Sequence, residues 1–280
     1  MRYGVLILPD AAWRHARRRW QAAEHLGFDH AWTYDHLTWR SLRDGPWFGA
    51  IPTLTAAATV TSRIRLGTLV TSPNFRHPVP LAKELMTLDD ISDGRITAGI
   101  GAGGDGFDAT ATRDDAWTRR ERTERFEEFV AMLDRLLSEP AVSYQGRYYL
   151  ANEARSIPGC RQQPRIPFAI AATGRRSLAV AARFGAAWVA SDSRGAGPEL
   201  VNSLDEACTA EGRDPATIDR IVVVGHRKRP LASVEAFRDV AGRYAEAGFT
   251  DLVVHWPRAS EPFAGDEALL ERIADDVLRS

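Results

Sequence analysis

Cysteine is scarce in this chain: Cys160 and Cys208 are the only two in 280 residues. A disulfide scaffold needs more of them in a smaller chain, and a metal site needs clustered ligands. We therefore expect a reducing compartment, the cytoplasm, and no metal. Excess charge is lacking as well. The 36 Lys and Arg residues balance 37 Asp and Glu, for a formal net charge of −1. Neither nucleic acid nor an anionic membrane is drawn to such a chain as a whole. The basic run RHARRRW at 14–20 follows a helical pattern and reads as a solvated face. No stretch approaches the roughly 20 apolar residues of a membrane span. The opening MRYGVLILPDAAW has no signal-peptide anatomy. Motifs for acyl transfer, metal hydrolysis and phosphoryl transfer are missing too: no Ser-His-Asp signature, no metal-ligand spacing, no Walker loop. The expected partner is a small molecule.

What is present is alternation. Short apolar runs at 2–8, 30–36, 64–71, 95–103, 166–173, 186–191, 218–226 and 251–256 read as strands. Helical patterns at 13–26, 48–61, 79–91, 119–137, 175–185, 198–211, 233–247 and 266–278 follow them. On the first, Trp13, Ala16, Trp20, Ala23 and Leu26 share a face, and Gly27 ends it. The strands are apolar throughout, as parallel strands covered on both faces must be. Eight strand–helix units predict one (β/α)8 barrel domain over 1–280, rather than a doubly wound open sheet. The rhythm pauses twice, at a polar loop over 104–117 and at a hairpin-like piece around Gly146 within 141–164. These are short insertions after the fourth strand and before the fifth.

The stretch ITAGIGAGGDGF tests this reading, because Gly99, Gly101 and Gly104 match G-x-G-x-x-G. A dinucleotide-binding turn needs that pattern between a first strand and a helix that starts at once, since the helix N-terminus is the phosphate site. Here the glycines close the fourth strand, and the polar DGFDATATRDDAW follows. At the end of a barrel strand, glycines either clear a wall for a flat ligand or make a tight bend.

Three stretches then resemble a known family: TYDHLTW at 33–39, IRLGTLVTSPNFRHPVPLAKELMTLDDISDGRITAGIGAG at 64–103, and AATGRRSLAVAARFGAAWV at 171–189. They are similar to the luciferase-like flavin-dependent oxidoreductases, a superfamily that includes FMN-dependent monooxygenases and enzymes using the deazaflavin coenzyme F420. The resemblance covers most of the chain, and it implies a (β/α)8 barrel, a homodimer and, through the DH pair, the F420-using branch. It places Asp35 and His36 beside the reactive ring, with His36 as acid or polariser and Asp35 behind it supporting the hydrogen bonding. Trp39 would wall the substrate pocket. Leu69 and Val70 match the place of a non-proline cis peptide or bulge against the ring's far face. Ala102 and Gly103 would touch the ring edge. Thr173, Gly174 and Arg175 match the loop that binds the cofactor phosphate, where small residues and a helix N-terminus suit an anion. One departure stands out. Deazaflavin-dependent sugar-phosphate dehydrogenases carry a Glu after the strand-four glycines, and this chain has Gly104 and then Asp105, which counts against that reaction.

Position adds candidates, since active sites gather at the C-terminal ends of barrel strands. His226, His255 and Asp192 end strands there and are candidates for substrate contact. Trp39, Trp47, Phe48 and Phe107 lie in the loops, where they either line an apolar pocket or simply cover the barrel top. His77 before Pro78 orders a loop or caps a helix, and His15, His25 and His30 read as surface or element-end residues. Three functions fit. The first is an F420-dependent oxidoreductase that transfers a hydride to or from a small organic substrate. The second is an FMN-dependent monooxygenase supplied by a reductase, with 104–117 as its lid. The third is a flavin-binding protein without turnover.

Overall fold

A computed structural model describes residues 1–279, apart from the side chain of His226. The chain runs β1 (Arg2–Leu6), α1 (Trp13–Leu26), β2 (His30–Thr33), α2 (Ala50–Ala58), β3 (Arg65–Thr68), α3 (Pro78–Ile91), β4 (Ile96–Gly101) and α4 (Arg119–Ser138). It continues through β5 (Ala141–Gln145), β6 (Leu150–Arg155), β7 (Phe168–Ala171), α5 (Arg175–Phe184), β8 (Ala187–Ser191), α6 (Pro198–Ala210), β9 (Asp219–Val223), α7 (Val234–Glu246), β10 (Asp251–His255) and α8 (Glu267–Ile273). Among the described residues, eight strands close a parallel barrel in the order β1-β10-β9-β8-β7-β4-β3-β2, and β5 and β6 form a separate antiparallel hairpin. The expected (β/α)8 architecture is thus present, with the hairpin between the fourth and fifth barrel strands. No described helix is long and apolar enough to cross a membrane.

Side chains alternate across each strand, so one sequence serves two cores. Leu6, Ala169, Ala187, Val189, Ile221, Val223 and Val253 cluster inside the barrel. Their neighbours Val5, Phe168, Ile170, Trp188, Val222, Leu252 and Val254 join the helices' apolar faces in a second, larger cluster. The helices start and stop on local chemistry. Thr118 and Glu121 form a reciprocal capping box at α4. His77 Nδ1 accepts from the Val79 N–H at the start of α3, a structural role. Gly27, at φ 94°, takes the left-handed conformation that ends α1.

At the opposite end of the barrel, His30 is an element-end residue, the first of β2, and it is buried there. Trp32 Nε1–H donates to His30 Nδ1 at 2.6 Å. An indole N–H can only donate, so His30 Nε2 carries the proton toward Asp251 Oδ1, 3.0 Å away. Arg2 grips the same carboxylate with two bonds of 2.7 and 2.8 Å. Burial opposes ionisation of Asp251, yet the bonds from His30, Arg2 and Thr250 carry its pKa down to about 2. Glycine makes room: a Cβ on Gly67 would stand 2.4 Å from the Trp32 ring.

Candidate active site

The C-terminal ends of the strands converge on His36, in the loop after β2. Its Nδ1 bonds Asp108 Oδ2. Asp108 is buried and comes from the loop after β4. Its other oxygen accepts the Leu37 N–H at 2.8 Å and the Thr38 N–H at 3.4 Å. Because a carboxylate accepts, Nδ1 donates, and Nε2 is left as the working atom of the ring. His36 is about one-third exposed, and no described residue bonds Nε2. A histidine oriented by an acid, with its second nitrogen open at a barrel mouth, can give or take a proton.

Asp35 makes no bond to the His36 ring and supports the hydrogen bonding of its loop through Arg76. Its buried carboxylate pairs with Arg76, which donates Nε at 3.1 Å and Nη2 at 2.9 Å, and Arg76 Nη1 goes on to Glu84. The pair ties the loop after β2 to the loop after β3. Asp108, which bonds the His36 ring, is not singled out by the sequence. The loop over 104–117 offers Asp105, Asp108, Asp114 and Asp115, and nothing in their spacing separates them.

An aromatic cluster stands beside His36. Trp39 is buried and stacks on Trp47 at 6.2 Å and on Phe263 at 6.0 Å. Trp47 Nε1–H donates to the His36 carbonyl at 2.8 Å, which fixes the loop. Tyr34 edges both His36 and His255, with ring centroids 5.8 Å apart in each case. His255 Nδ1 donates to the Val224 carbonyl at 3.2 Å, so in the neutral ring Nε2 accepts from the Tyr34 hydroxyl at 2.8 Å. Burial pushes the Tyr34 pKa up, Arg40 opposes this and Asp192 adds to it, so Tyr34 remains the donor. Phe107 is exposed beneath the Arg43 guanidinium, 4.1 Å away. Asp192 follows β8, and its Oδ1 is buried without a hydrogen-bond partner. The His226 side chain lies outside the described residues.

The other predicted residues line the β3–β4–β7 side of the mouth. The Leu69–Val70 peptide is cis. A Cβ on Gly99 would meet the Thr68 carbonyl oxygen at 1.9 Å, and one on Gly101 would meet Val70 Cγ2 at 2.7 Å. These glycines therefore let β4 close against the end of β3. The next regular α-helix starts only at Arg119, so no helix N-terminus follows them to hold a dinucleotide's phosphates. Gly104 and Gly106, by contrast, face space: a Cβ would meet only one atom, at 3.9 Å, on the first and nothing within 4 Å on the second. Ala102 and Gly103 precede them. Across β7, Thr173 is exposed, Gly174 caps α5 and Arg175 begins it. The first-turn N–H groups of a helix have no partner within it, and here they open at the barrel mouth.

Comparison with known proteins agrees with the barrel fold. A family model described as luciferase-like monooxygenase matches residues 1–260. An F420-dependent hydroxymycolic acid dehydrogenase of Mycobacterium tuberculosis is 31% identical over 229 residues, covering 79% of this chain and 62% of that one. The chain thus spans less than two thirds of that relative's length. An F420-dependent glucose-6-phosphate dehydrogenase of Beutenbergia cavernae is 29% identical over 91% of this chain and 90% of its own. Among solved structures, the coenzyme F420-dependent tetrahydromethanopterin reductase of Methanopyrus kandleri superposes with a TM-score of 0.79 over 99% of this chain and 98% of that one, at 20% identity, a likeness of fold. The chain belongs to the luciferase-like monooxygenase family.

Proposed function

We propose that the protein is an oxidoreductase that moves a hydride between coenzyme F420 and a small organic substrate at the barrel mouth. The observation that carries the reading is the His36–Asp108 pair, whose open nitrogen sits where an acid–base group is needed. The names of the F420-dependent relatives support the choice of cofactor. The residues also fit such a group. Leu69 and Val70 offer an apolar face, Gly104 and Gly106 leave clear space, and the start of α5 offers N–H donors to a phosphate. When bound, a deazaflavin supplies a ring carbon that gives or takes a hydride.

The chain's own residues do the rest. Thr173, Gly174 and Arg175 hold the phosphate, and Leu69, Val70, Ala102 and Gly103 flank the ring. His36 Nε2 exchanges a proton with the substrate oxygen while Asp108 holds the imidazole in place. Asp35 fixes the loop through Arg76, and Trp39 closes the wall. In this reading 1–280 is one domain, works as a homodimer in the cytoplasm, and meets a reductase only through the shared cofactor. Two titrations followed by cofactor fluorescence test it, one with F420 and one with FMN. Binding of F420 and not FMN is the expected result. Binding of FMN alone overturns the reading and directs the search to oxygen consumption.

A further inference from the structure

A second space opens on the β9–β10 side of the mouth, a cavity of about 360 Å³. Val224, Pro230 and Leu231 give it an apolar wall, and His255 and Phe263 give it an aromatic one. Phe263 lies flat on His255 with ring centroids 3.6 Å apart, and it also stacks on Trp39. One ring therefore belongs both to this cavity and to the aromatic cluster beside His36.

Charges of both signs stand at this cavity, and its cations are without ion partners among the described residues. Arg227 and Arg229 line it, Lys228 stands between them in the chain, and all three are exposed. None of the three forms an ion pair with a described residue. Two acids face the same space. Glu261 lies among the lining residues, and Asp192 Oδ1 sits 3.1 Å from where a Cβ on Gly225 would stand. Two guanidiniums beside an apolar wall can take an anion, because each presents a planar fork of donors to carboxylate or phosphate.

We propose that this cavity takes the far end of the substrate, and that the substrate is an amphipathic organic anion. Its apolar body lies against Val224, Leu231 and Phe263, and its carboxylate or phosphate is held by Arg227 and Arg229. The proposal rests on the oxidoreductase reading for what happens at the substrate's other end. Calorimetric titration with octanoate, octyl phosphate and the uncharged octanamide tests it. We expect at least one of the anions to bind tenfold or more tightly than octanamide, and the tighter anion names the head group. Arg227→Gln with Arg229→Gln should lose that tenfold, and Arg227→Lys with Arg229→Lys, which keeps the charge but not the fork, should fall between. Equal binding of octanamide, indifference to the Gln pair, or no binding of either anion overturns the proposal. Titration of F420 into the same proteins separates the two readings. Anion binding without F420 binding leaves the cavity assignment standing and removes the oxidoreductase; F420 binding without anion binding does the reverse.

Discussion

The two ends of the barrel spend their polar groups differently. At the N-terminal end, Asp251 is shared by Arg2, His30 and Thr250, and Trp32 closes the chain of bonds. Nearby, Glu24 accepts the backbone N–H groups of Ser62, Arg63 and Ile64. At the C-terminal end, Thr71 Oγ1, Asn74 Oδ1 and Asp192 Oδ1 are buried without partners, and His36 keeps one nitrogen open. A buried polar atom without a partner costs about 1–3 kcal/mol. These three atoms lie at the end where a ligand would supply the missing bonds, whereas the Asp251 cluster at the other end has its bonds made within the protein. Each end should therefore fail in its own way.

The largest expected effect is on turnover at the mouth. His36→Ala should slow it by about 10²–10⁴-fold, the usual worth of a general acid or base, while F420 affinity stays near that of the wild type. Collapse of cofactor binding instead would make His36 a structural residue. Asp108→Ala should also slow turnover, and the double variant should be no slower than His36→Ala alone, because the acid acts through the histidine. Steady-state kinetics on the three proteins settles the point, and additive losses would separate the pair.

At the other end, loss should appear in stability. Asp251→Ala leaves the buried His30 Nε2–H without its acceptor and Arg2 without its main partner, and should cost about 3 kcal/mol in denaturant unfolding. Turnover per folded molecule should not change; a specific loss of activity would break the division between the two ends. Acid should show the same dependence. The Asp251 pKa is depressed in the fold from 3.8 to about 2. Its stabilisation is therefore complete above pH 4 and lost as the pH falls from there to about 2, an effect of roughly 2 kcal/mol. Glu24 is lowered from 4.5 to about 2 as well, by backbone N–H groups and the Ser62 hydroxyl against its own burial, and its contribution is lost as the pH falls from about 4.5 to about 2. Unfolding curves at pH 5, 3.5 and 2.5 should show it, and flat stability across them would remove Asp251 from the account.

What sequence reading missed follows the same line. All eight strand–helix units were legible, because burial on both faces leaves a continuous apolar run and the helices keep their 3.6-residue period. Strand ends were not. The second run was read to residue 36, whereas β2 stops at Thr33, since Tyr34 and His36 are aromatic for the sake of the mouth and not the sheet. The His30–Asp251 and His36–Asp108 bonds join residues 221 and 72 positions apart. No local pattern records such a meeting. The sequence therefore gives no sign of the buried partner of His30, nor of which acid bonds the His36 ring. Family resemblance singles out His36 through its neighbours in sequence, and only the closed barrel shows which acid bonds it.

The smallest effect tests the β7 side of the mouth, where the cofactor-phosphate assignment rests on an open helix start. A Cβ on Gly174 would meet only Ser177 Oγ, at 3.8 Å, and its φ of −100° suits any residue. Gly174→Val therefore fits the fold. Valine is a poor N-cap, so stability should fall by about 1 kcal/mol. The same side chain stands over the first-turn N–H groups of α5 and should obstruct an anion approaching them. F420 affinity should drop by about tenfold, or 1.4 kcal/mol, whereas octanoate, bound on the far side of the mouth, should be indifferent. Unaltered F420 affinity in a fluorescence titration would take the start of α5 out of the cofactor site. Equal losses for both ligands would mean that the substitution had deformed the whole mouth, and that its two sides are not the separate sites their charges suggest.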